Sequence, residues 1–393
     1  MKKVLSILLS VAMIVLCFAA CGKTDGDKSS TGKAANVKVG FIFLHDENST
    51  YDKNFITAAE EACKKAGVEI LKKTNISETQ ACYDAAAELV DEGCNVIFAD
   101  SFGHEPYIIQ AAKKFPEVQF LHATGTKAHT EGLSNYHNAF ASIYEGRYLA
   151  GVAAGMKLNE MISSGKITAD KAKMGYVGAY TYAEVISGYT SFYLGAKSVC
   201  PSVTMEVTFT GSWYDETAEK EAAQKLINNG CVLISQHADT TGAPTACEAA
   251  GVPCVGYNIS MIATAPDQAL TSASNNWGIY MTYAVQSVLD GTEIPADWCK
   301  GFSDGAVLVT ELNDKAVAPG TKEKVEEVEA KLASGELHVF DTSTWTVNGE
   351  TLDTYKKDGS DIEYISDGYF HESEYGSAPA FDIAIDGITS ITE

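Results

Sequence analysis

Basic residues are scarce in this sequence. The 393-residue chain carries 29 Lys and Arg against 52 Asp and Glu, which gives a formal net charge of −23. Binding to nucleic acid requires clustered Lys and Arg, and docking on anionic lipid requires a polybasic segment. No such cluster occurs in the sequence. The composition therefore argues against a nucleic-acid partner and leaves a small neutral or cationic ligand, or a basic protein surface.

Motifs of several common enzyme classes are also missing. The sequence contains no Walker A motif, no H-E-x-x-H motif and no C-x-x-C pair. One loop gathers the carboxylates Asp46, Glu47 and Asp52, which leaves a metal-dependent nucleoside hydrolase as an alternative, although that class collects its acidic residues more densely. We predict that the chain is not an enzyme and uses no cofactor and no metal ion.

A long, mostly apolar run stands at the N-terminus. It covers residues 4–18, two lysines precede it, and two alanines separate it from Cys21. This order is typical of an export signal, and 15 apolar residues are too few for a membrane-spanning helix. Small residues directly before a cysteine are similar to a lipobox, which implies cleavage before Cys21 and a diacylglycerol thioether on its sulfur.

The residues after Cys21 fit this interpretation, because GKTDGDKSSTGKAA is polar and typical of a flexible tether. We therefore predict a lipoprotein signal peptide over 1–20 and a lipid anchor with its tether over 21–36. The expected location is the extracytoplasmic face of a bacterial cell membrane. An ordinary signal peptide with a chance cysteine and an uncleaved anchor remain alternatives.

Eight cysteines follow Cys21. Exported proteins can pair their cysteines, but Cys94 and Cys231 each open an apolar run that is typical of a buried strand. In such a place a free cysteine behaves as a small hydrophobic residue. We predict mostly free thiols, with one or two disulfides left open.

Apolar strand-like runs alternate with helical patterns from Lys38 onward. In the first half the predicted strands are 38–44, 68–74, 94–100 and 118–124, and the helices are 55–67, 77–93 and 106–116. The second half repeats this order with strands 173–179, 203–211, 231–237 and 253–258 and helices 184–199, 216–230 and 244–251. Such alternation is typical of βαβ units and a parallel sheet.

The repetition predicts an α/β protein with two lobes, each a parallel sheet flanked by helices, and a cleft between them. We assign residues 37–141 and 277–320 to the N-terminal lobe and 142–276 to the C-terminal lobe. Residues 142–158 and 276–291 are the expected crossover helices. Residues 321–393 are expected to form a helix, a hairpin turning at Asn348 and Gly349, and an acidic extension.

Ligands of open parallel sheets bind beyond the carboxyl ends of the strands. The segments at those ends are rich in aromatic, amide and carboxylate groups. They supply these candidate ligand contacts: Asp100, Ser101, Tyr180, His237, Asp239, Asn276 and Trp277. A packing role is an equal alternative for Trp277, and hydrogen bonding to a loop is an alternative for His237 and Asp239.

The order of several segments between Lys38 and Gly291 resembles the basic membrane protein family of ABC-transporter substrate-binding lipoproteins. The segments are HDENSTYDKNF (45–55), EGRYLAGVAAG (145–155), KMGYVGAYTYAEVISGYTSFYLGAK (173–197), GSWYDETAEKEAA (211–223) and LTSASNNWGIY (270–280). The family is similar to purine nucleoside receptors and has the type I periplasmic-binding fold. The resemblance implies a monomer that hands its ligand to an ABC permease with its ATPase.

The family holds the base of a nucleoside between two aromatic rings, one from each lobe. By position these rings correspond to Phe55 and Trp213 of this sequence, and Asp46 stands where the family has an aspartate. Asn54 is placed to bond a base edge. The alternatives are a core role for Phe55 and a helix-capping role for Asp46.

The sequence departs from the family at the two positions that bind ribose, because it has Asn258 in place of an aspartate and Asn275 in place of a lysine. Charged recognition of a sugar diol is therefore weakened. The expected ligand is a nucleoside or a free nucleobase, with purines favoured. A sugar or another small polar metabolite is the alternative ligand, and a surface nutrient sensor is the alternative role.

Overall fold

The structure is a computed structural model that describes residues 37–391. The predicted signal peptide, Cys21 and the tether lie outside the described residues. The strands are β1 (Lys38–Ile42), β2 (Glu69–Lys73), β3 (Val96–Ala99), β4 (Gln119–Ala123), β5 (Tyr136–Ala141), β6 (Lys173–Gly178), β7 (Thr204–Phe209), β8 (Leu233–Gln236), β9 (Cys254–Tyr257), β10 (Ala269–Asn275), β11 (Asp297–Lys300), β12 (Val307–Val309), β13 (Ile365–Ser366), β14 (Tyr369–Phe370) and β15 (Ile388–Ile391). The helices are α1 (Thr50–Ala66), α2 (Gln80–Asp91), α3 (Glu105–Lys114), α4 (Ala128–Glu131), α5 (Ile143–Ser163), α6 (Ala183–Val199), α7 (Glu216–Asn228), α8 (Gly242–Ala250), α9 (Trp277–Asp290) and α10 (Thr321–Ser334).

Two separate sheets carry the two lobes. The first has the strand order β2-β1-β3-β4-β5-β11 and is parallel throughout. The second has the order β15-β7-β6-β8-β9-β10-β12, in which β12 is antiparallel to β10 and the other pairs are parallel. Five strands of each sheet, β2-β1-β3-β4-β5 in the first and β7-β6-β8-β9-β10 in the second, follow the same doubly wound 2-1-3-4-5 order. The predicted fold class is confirmed.

Two interior strands of the sheets were absent from the sequence prediction. They are β5, with the sequence YHNAFA, and β10, with the sequence ALTSASN, and every residue of both is buried. Their polar side chains find partners inside the protein: Thr271 donates to the carbonyl of Thr310, and Asn138 accepts from the N–H of Gly125. Because the hydrophobic pattern is interrupted by these bonded polar residues, periodicity alone does not reveal either strand.

The segment 277–320, which the sequence assigned to the first lobe, is divided between the lobes. Helix α9 packs against α1, and β11 extends the first sheet beside β5. Strand β12, however, pairs with β10 of the second sheet. The assignment is therefore wrong for β12, because its backbone hydrogen bonds, and not its place in the chain, decide the sheet that it joins.

Helix α5 leads from β5 of the first sheet into the second lobe, where it packs closely on α6. At Gly151 an added Cβ would lie 2.1 Å from the carbonyl oxygen of Phe192, and at Gly195 it would lie 2.0 Å from that of Tyr148. Only glycine permits this approach of the two backbones. The run of small residues in EGRYLAGVAAG thus has a packing cause.

The predicted hairpin near residue 348 is present only as a turn. Asn348 and Gly349 both have positive φ, at 53° and 83°, and Val347 and Glu350 exchange both backbone hydrogen bonds. No strands flank this turn within the described residues. The chain beyond it packs onto the main hydrophobic core, where Phe381 stacks on Phe340 with ring centroids 4.2 Å apart. Its last strand, β15, pairs with β7 at the edge of the second sheet.

The eight cysteines in residues 37–391 are free thiols, and all but Cys299 are buried. In the same residues no helix combines the length and the apolar character that a membrane span requires.

Candidate functional site

A cavity of about 180 Å³ lies where the carboxyl ends of the two sheets face each other. This volume is far larger than the roughly 10–15 Å³ that one water molecule needs. The lining residues are Leu44, His45, Tyr51, Asp52, Ser101, Phe102, Thr124, Thr126, Phe140, Tyr182, Ala183, Glu184, Trp213, His237, Asp239, Tyr257, Ala378 and Pro379.

The topology explains this position. In a doubly wound sheet the strand order reverses between the first and third strands, so the following loops diverge there and leave a crevice. In the first lobe the crevice lies after β1 and β3, which lead to Leu44 and Ser101. In the second lobe it lies after β6 and β8, which lead to Glu184 and His237. The cavity joins the two crevices.

The first lobe contributes Tyr51 from the beginning of α1. Ser49 caps this helix by accepting from the N–H of Asp52, and the Tyr51 hydroxyl donates to the backbone carbonyl of Asp100 at 2.7 Å. These two bonds fix the ring at the cavity wall.

Asp52 lies beside it and accepts from the N–H of His45 at 2.8 Å. Burial alone would raise the pKa of Asp52, but the hydrogen bonds from His45 and Ser49 outweigh burial and lower it. Asp52 is thus the carboxylate that the first lobe presents to the cavity.

The second lobe contributes Trp213, whose ring meets that of Tyr180 edge-on at a centroid distance of 5.2 Å. Tyr182 lies near the same indole and also 5.7 Å from Phe102 of the first lobe. Phe102 and Tyr182 are the most exposed aromatic residues of the lining, at 41% and 48%. Together they flank the cavity entrance from opposite lobes.

His237 and Glu184 form a bonded pair in the second lobe. Nε2 of His237 lies 2.9 Å from a carboxylate oxygen of Glu184, and Nδ1 lies 3.2 Å from the hydroxyl of Tyr176. Burial lowers the pKa of His237, so the neutral ring donates from Nε2 and accepts at Nδ1. Burial opposes ionisation of Glu184, but the partner His237 brings its pKa below the ordinary value.

Asp239, like His237, follows β8, and its pKa is shifted in the opposite direction from that of Glu184. Burial, and then the nearby carboxylates Glu219 and Asp52, raise the pKa of Asp239 well above its ordinary value. Its carboxyl accepts from Nδ2 of Asn258 at 2.9 Å. A protonated Asp239 offers a ligand one O–H donor beside a carbonyl acceptor.

The backbone of Asp239 also connects the two lobes. Its carbonyl accepts from both the N–H and the hydroxyl of Thr50, at 2.9 and 3.0 Å. On the same side His45 stacks on Tyr214 at 4.7 Å. These contacts join the start of α1 to the second lobe, so the structure has the lobes in contact around the cavity.

Phe55, the predicted stacking residue of the first lobe, does not reach the cavity. It is fully buried and stacks on Trp277 at a centroid distance of 4.4 Å, against Phe98. Trp277 is itself 1% exposed, so the packing alternative holds for both residues. The reason is the early start of α1, which places Tyr51 one turn before Phe55 at the cavity and turns Phe55 into the core.

Three predicted asparagines also point elsewhere. Asn54 donates to the backbone carbonyl of Asn275 at 2.9 Å and so serves an interlobe contact. Asn275 is buried at 3% and does not line the cavity. Asn276 precedes α9 and donates to the carbonyl of Gly305.

Asn258 has a positive φ of 66°, which directs its side chain toward Asp239 and Thr50. It therefore positions a lining residue but does not line the cavity itself.

Among the predicted carboxylates, Asp46 accepts from the side chain and the N–H of Asn48 in its own loop, away from the cavity. Asp100 is completely buried behind the wall and accepts from the N–H of Leu44. Ser101, Trp213, His237 and Asp239 are the predicted residues that the structure does bring to the cavity. Tyr180 supports Trp213 from behind.

The lining residues that sequence reasoning missed include Tyr51, Glu184 and Tyr257. Each lies within about four residues of a predicted strand end or helix start, so the strand-end rule includes them but cannot rank them. It also missed Ala378 and Pro379, for which the sequence offers no indication, since they lie more than a hundred residues beyond the second predicted lobe.

The segment GFSDG (301–305) has the G-x-S-x-G spacing of a nucleophile elbow. Ser303, however, is exposed on a short 3₁₀ helix and donates to Asp304. It does not line the cavity. The match therefore lacks the strand-to-helix turn that the motif requires.

Glu372 holds the chain beside the cavity, and its buried carboxyl should make the free energy of unfolding depend on pH. It is 2% exposed, and burial raises its pKa from the ordinary value near 4.5 to about 7. The folded state thus holds its proton to higher pH than the unfolded state, so this carboxyl lowers the free energy of unfolding as the pH rises from about 4.5 to about 7. At about 1.4 kcal/mol per pKa unit the loss is on the order of 3 kcal/mol.

We expect Glu372→Gln to remove this loss, because the amide oxygen can accept from the N–H groups of Ala380 and Phe381, and its NH₂ can donate to Ser187. Urea unfolding of both proteins at pH 5 and pH 8 measures their free energies of unfolding. The difference, variant minus unmodified protein, should be larger at pH 8 than at pH 5. The control is Glu323→Gln on the exposed face of α10, which changes the same charge. The same difference in free energy of unfolding between Glu372→Gln and the unmodified protein at both pH values would contradict the prediction.

Comparison with known proteins agrees with this architecture. Residues 41–342 match the Bmp family, described as PnrA-like ABC transporter substrate-binding proteins. A purine-binding protein of Brucella abortus is 34% identical over 329 residues, which cover 81% of this chain and 89% of that protein. A protein of Haloferax volcanii described as a putative ABC transporter glucose-binding protein is 28% identical and covers 81% of this chain and 77% of its own length.

A solved ABC transporter solute-binding protein of Aeropyrum pernix superposes with a TM-score of 0.66 at 18% identity, over 77% of this chain and 93% of that one. This likeness supports the two-lobed fold. The family match extends over most of the chain and includes most of both sheets. The chain therefore belongs to the Bmp family of PnrA-like ABC transporter substrate-binding proteins.

Proposed function

We propose that the protein captures a neutral nucleobase or nucleoside, with purines favoured, in the cavity between its lobes. The observation that carries this proposal is the composition of the cavity wall. Aromatic rings from both lobes, among them Tyr51 and Trp213, surround a space whose polar groups are carboxyls, histidine rings and hydroxyls. Stacking on aromatic side chains is worth about 1–3 kcal/mol per base.

The polar groups match the edge of a heterocycle. A protonated Asp239 presents a donor beside an acceptor, and Glu184 and Asp52 present further acceptors. A base edge alternates ring nitrogens with N–H or carbonyl groups, so such pairs can satisfy it without a net charge on the ligand. The lining contains no Lys and no Arg, which disfavours the phosphate of a nucleotide.

The chain then delivers the ligand to an ABC permease with its ATPase and performs no chemistry on it. The lipobox-like sequence before Cys21 supports attachment to the extracytoplasmic face of the membrane, where the tether would leave the lobes free to open and close. Mass spectrometry of the mature N-terminus tests this part. A diacylglycerol thioether on Cys21 is expected, and an unmodified cysteine or an N-terminus elsewhere would contradict it.

A thermal-shift screen of the purified protein against bases, nucleosides, sugars and amino acids tests the ligand. A ligand that binds only the folded state stabilises it by about 2.7 kcal/mol at a hundredfold excess over Kd. We expect a rise in melting temperature with bases or nucleosides. The glucose-binding description of the Haloferax relative favours a sugar as the second candidate, since aromatic rings also stack on sugars. A rise with sugars alone would replace the proposed ligand and keep the transport role.

A further inference from the structure

The segment His371–Phe381, called here the bridging segment, passes beside the cavity and contacts both lobes. It lies beyond residues 41–342, over which the chain matches its family. Two of its residues, Ala378 and Pro379, line the cavity. The ligand site therefore includes a wall that the family match does not contain.

The bridging segment is fixed to the second lobe through Glu372. One carboxyl oxygen of this residue accepts from the hydroxyl of Ser187 on α6 at 2.6 Å. The other accepts from the N–H groups of Ala380 and Phe381, at 2.8 and 2.7 Å. The same side chain thus holds the segment to α6 and closes the loop that carries Ala378 and Pro379.

The bridging segment is fixed to the first lobe through Ser377. Its N–H and its hydroxyl donate to the two carboxylate oxygens of Asp297 on β11, at 2.7 and 2.5 Å. Nδ2 of Asn138 on β5 donates to the same hydroxyl at 3.1 Å. Ser377 is 3% exposed, so these bonds are shielded from water.

Ala378 and Pro379 lie directly after this anchor and before the one at Ala380. Pro379 has a fixed φ and no N–H to offer, and Ala378 has no polar side-chain atom. The wall they form is apolar and held at both ends. A ligand hydroxyl pressed against it would lose its water without gaining a side-chain partner, which disfavours a polar ligand edge there.

We propose that the bridging segment is a specificity element of the ligand site, which limits the length of the ligand at this side of the cavity and favours a flat or apolar edge there. This inference rests on the proposed function and refines it. The side chain of Ala378 sets the length of ligand that fits at this wall, because a larger side chain at this position would fill space that the methyl group leaves open.

Ala378→Leu tests the inference by filling this part of the cavity. Calorimetric titration with adenine and adenosine measures the effect. We expect the affinity for adenosine, the larger probe, to fall at least tenfold. The affinity for adenine, the smaller probe, should fall less. Ala378→Val adds fewer atoms and should give an intermediate loss, which keeps the test decisive if the leucine variant does not fold. Ala330→Leu, on the exposed face of α10, is the matched control and should bind as the unmodified protein does.

The outcomes separate the two proposals. Binding by folded Ala378→Leu and Ala378→Val within twofold of the unmodified protein would overturn the role of the bridging segment and leave the proposed ligand class intact. Failure of the unmodified protein to bind any base or nucleoside of the screen, adenine and adenosine included, would overturn the proposed ligand class and the inference that rests on it.

Discussion

Replacing Trp213 with alanine is expected to weaken binding of the base or nucleoside by about 5- to 150-fold, which corresponds to the loss of about 1–3 kcal/mol of stacking. The ring lies at the cavity wall and is supported by Tyr180. It is only partly buried, so its removal leaves the packing of the lobe in place. Isothermal titration of the variant with the ligand found in the screen measures the loss.

The melting temperature of Trp213→Ala without ligand should stay close to that of the unmodified protein. Tyr283→Ala is the matched control, because Tyr283 is an aromatic residue on α9 that is 39% exposed and does not line the cavity. Unchanged affinity in Trp213→Ala would place the base elsewhere. A large fall in melting temperature would show that the indole is part of the core.

The second large effect is expected at Phe55, where alanine should lower the free energy of unfolding by about 3–5 kcal/mol. Phe55 is fully buried and packs on Trp277 and Phe98. Truncation removes apolar contacts and leaves a space that the surrounding rings cannot fill. Urea unfolding of the variant and the unmodified protein at one pH measures the difference.

The companion variant Phe55→Leu separates stability from binding. Leucine keeps much of the buried volume, so both its stability and its affinity should stay close to those of the unmodified protein. A Phe55→Ala protein of undiminished stability that no longer binds ligand would mean that the ring contacts the ligand, as its position in the sequence suggested.

The positions of Phe55 and Tyr51 show one limit of prediction from the sequence, which does not decide which of the two rings faces the cavity. The sequence predicted an aromatic contact near the start of the first helix, and that helix does provide one. The choice between two aromatic residues four positions apart depends on where α1 begins. Ser49 settles that by capping the helix at Thr50, and one turn of helix then separates the ring in the cavity from the ring in the core.

The ribose positions show a second limit. Asn258 and Asn275 depart from the family pattern, and the sequence alone suggested a weakened sugar contact. In the structure Nδ2 of Asn258 donates to Asp239, whereas Asn275 accepts from Asn54 through its backbone carbonyl, a bond that does not depend on its side chain. The Asn258 side chain thus bonds within the protein, which inspection of a single sequence position does not reveal.

The α/β class, the two lobes and the edge of each sheet at which the cavity lies could all be predicted from the sequence. These follow from hydrophobic periodicity and from the rule that parallel strands expose their carboxyl ends together, both of which are local properties. The tertiary structure alone decided which side chains face the cavity and that Ala378 and Pro379 belong to it. Those facts depend on contacts between residues far apart in the chain, such as Ser377 with Asp297 and Thr50 with Asp239, and a single sequence carries no record of such distances.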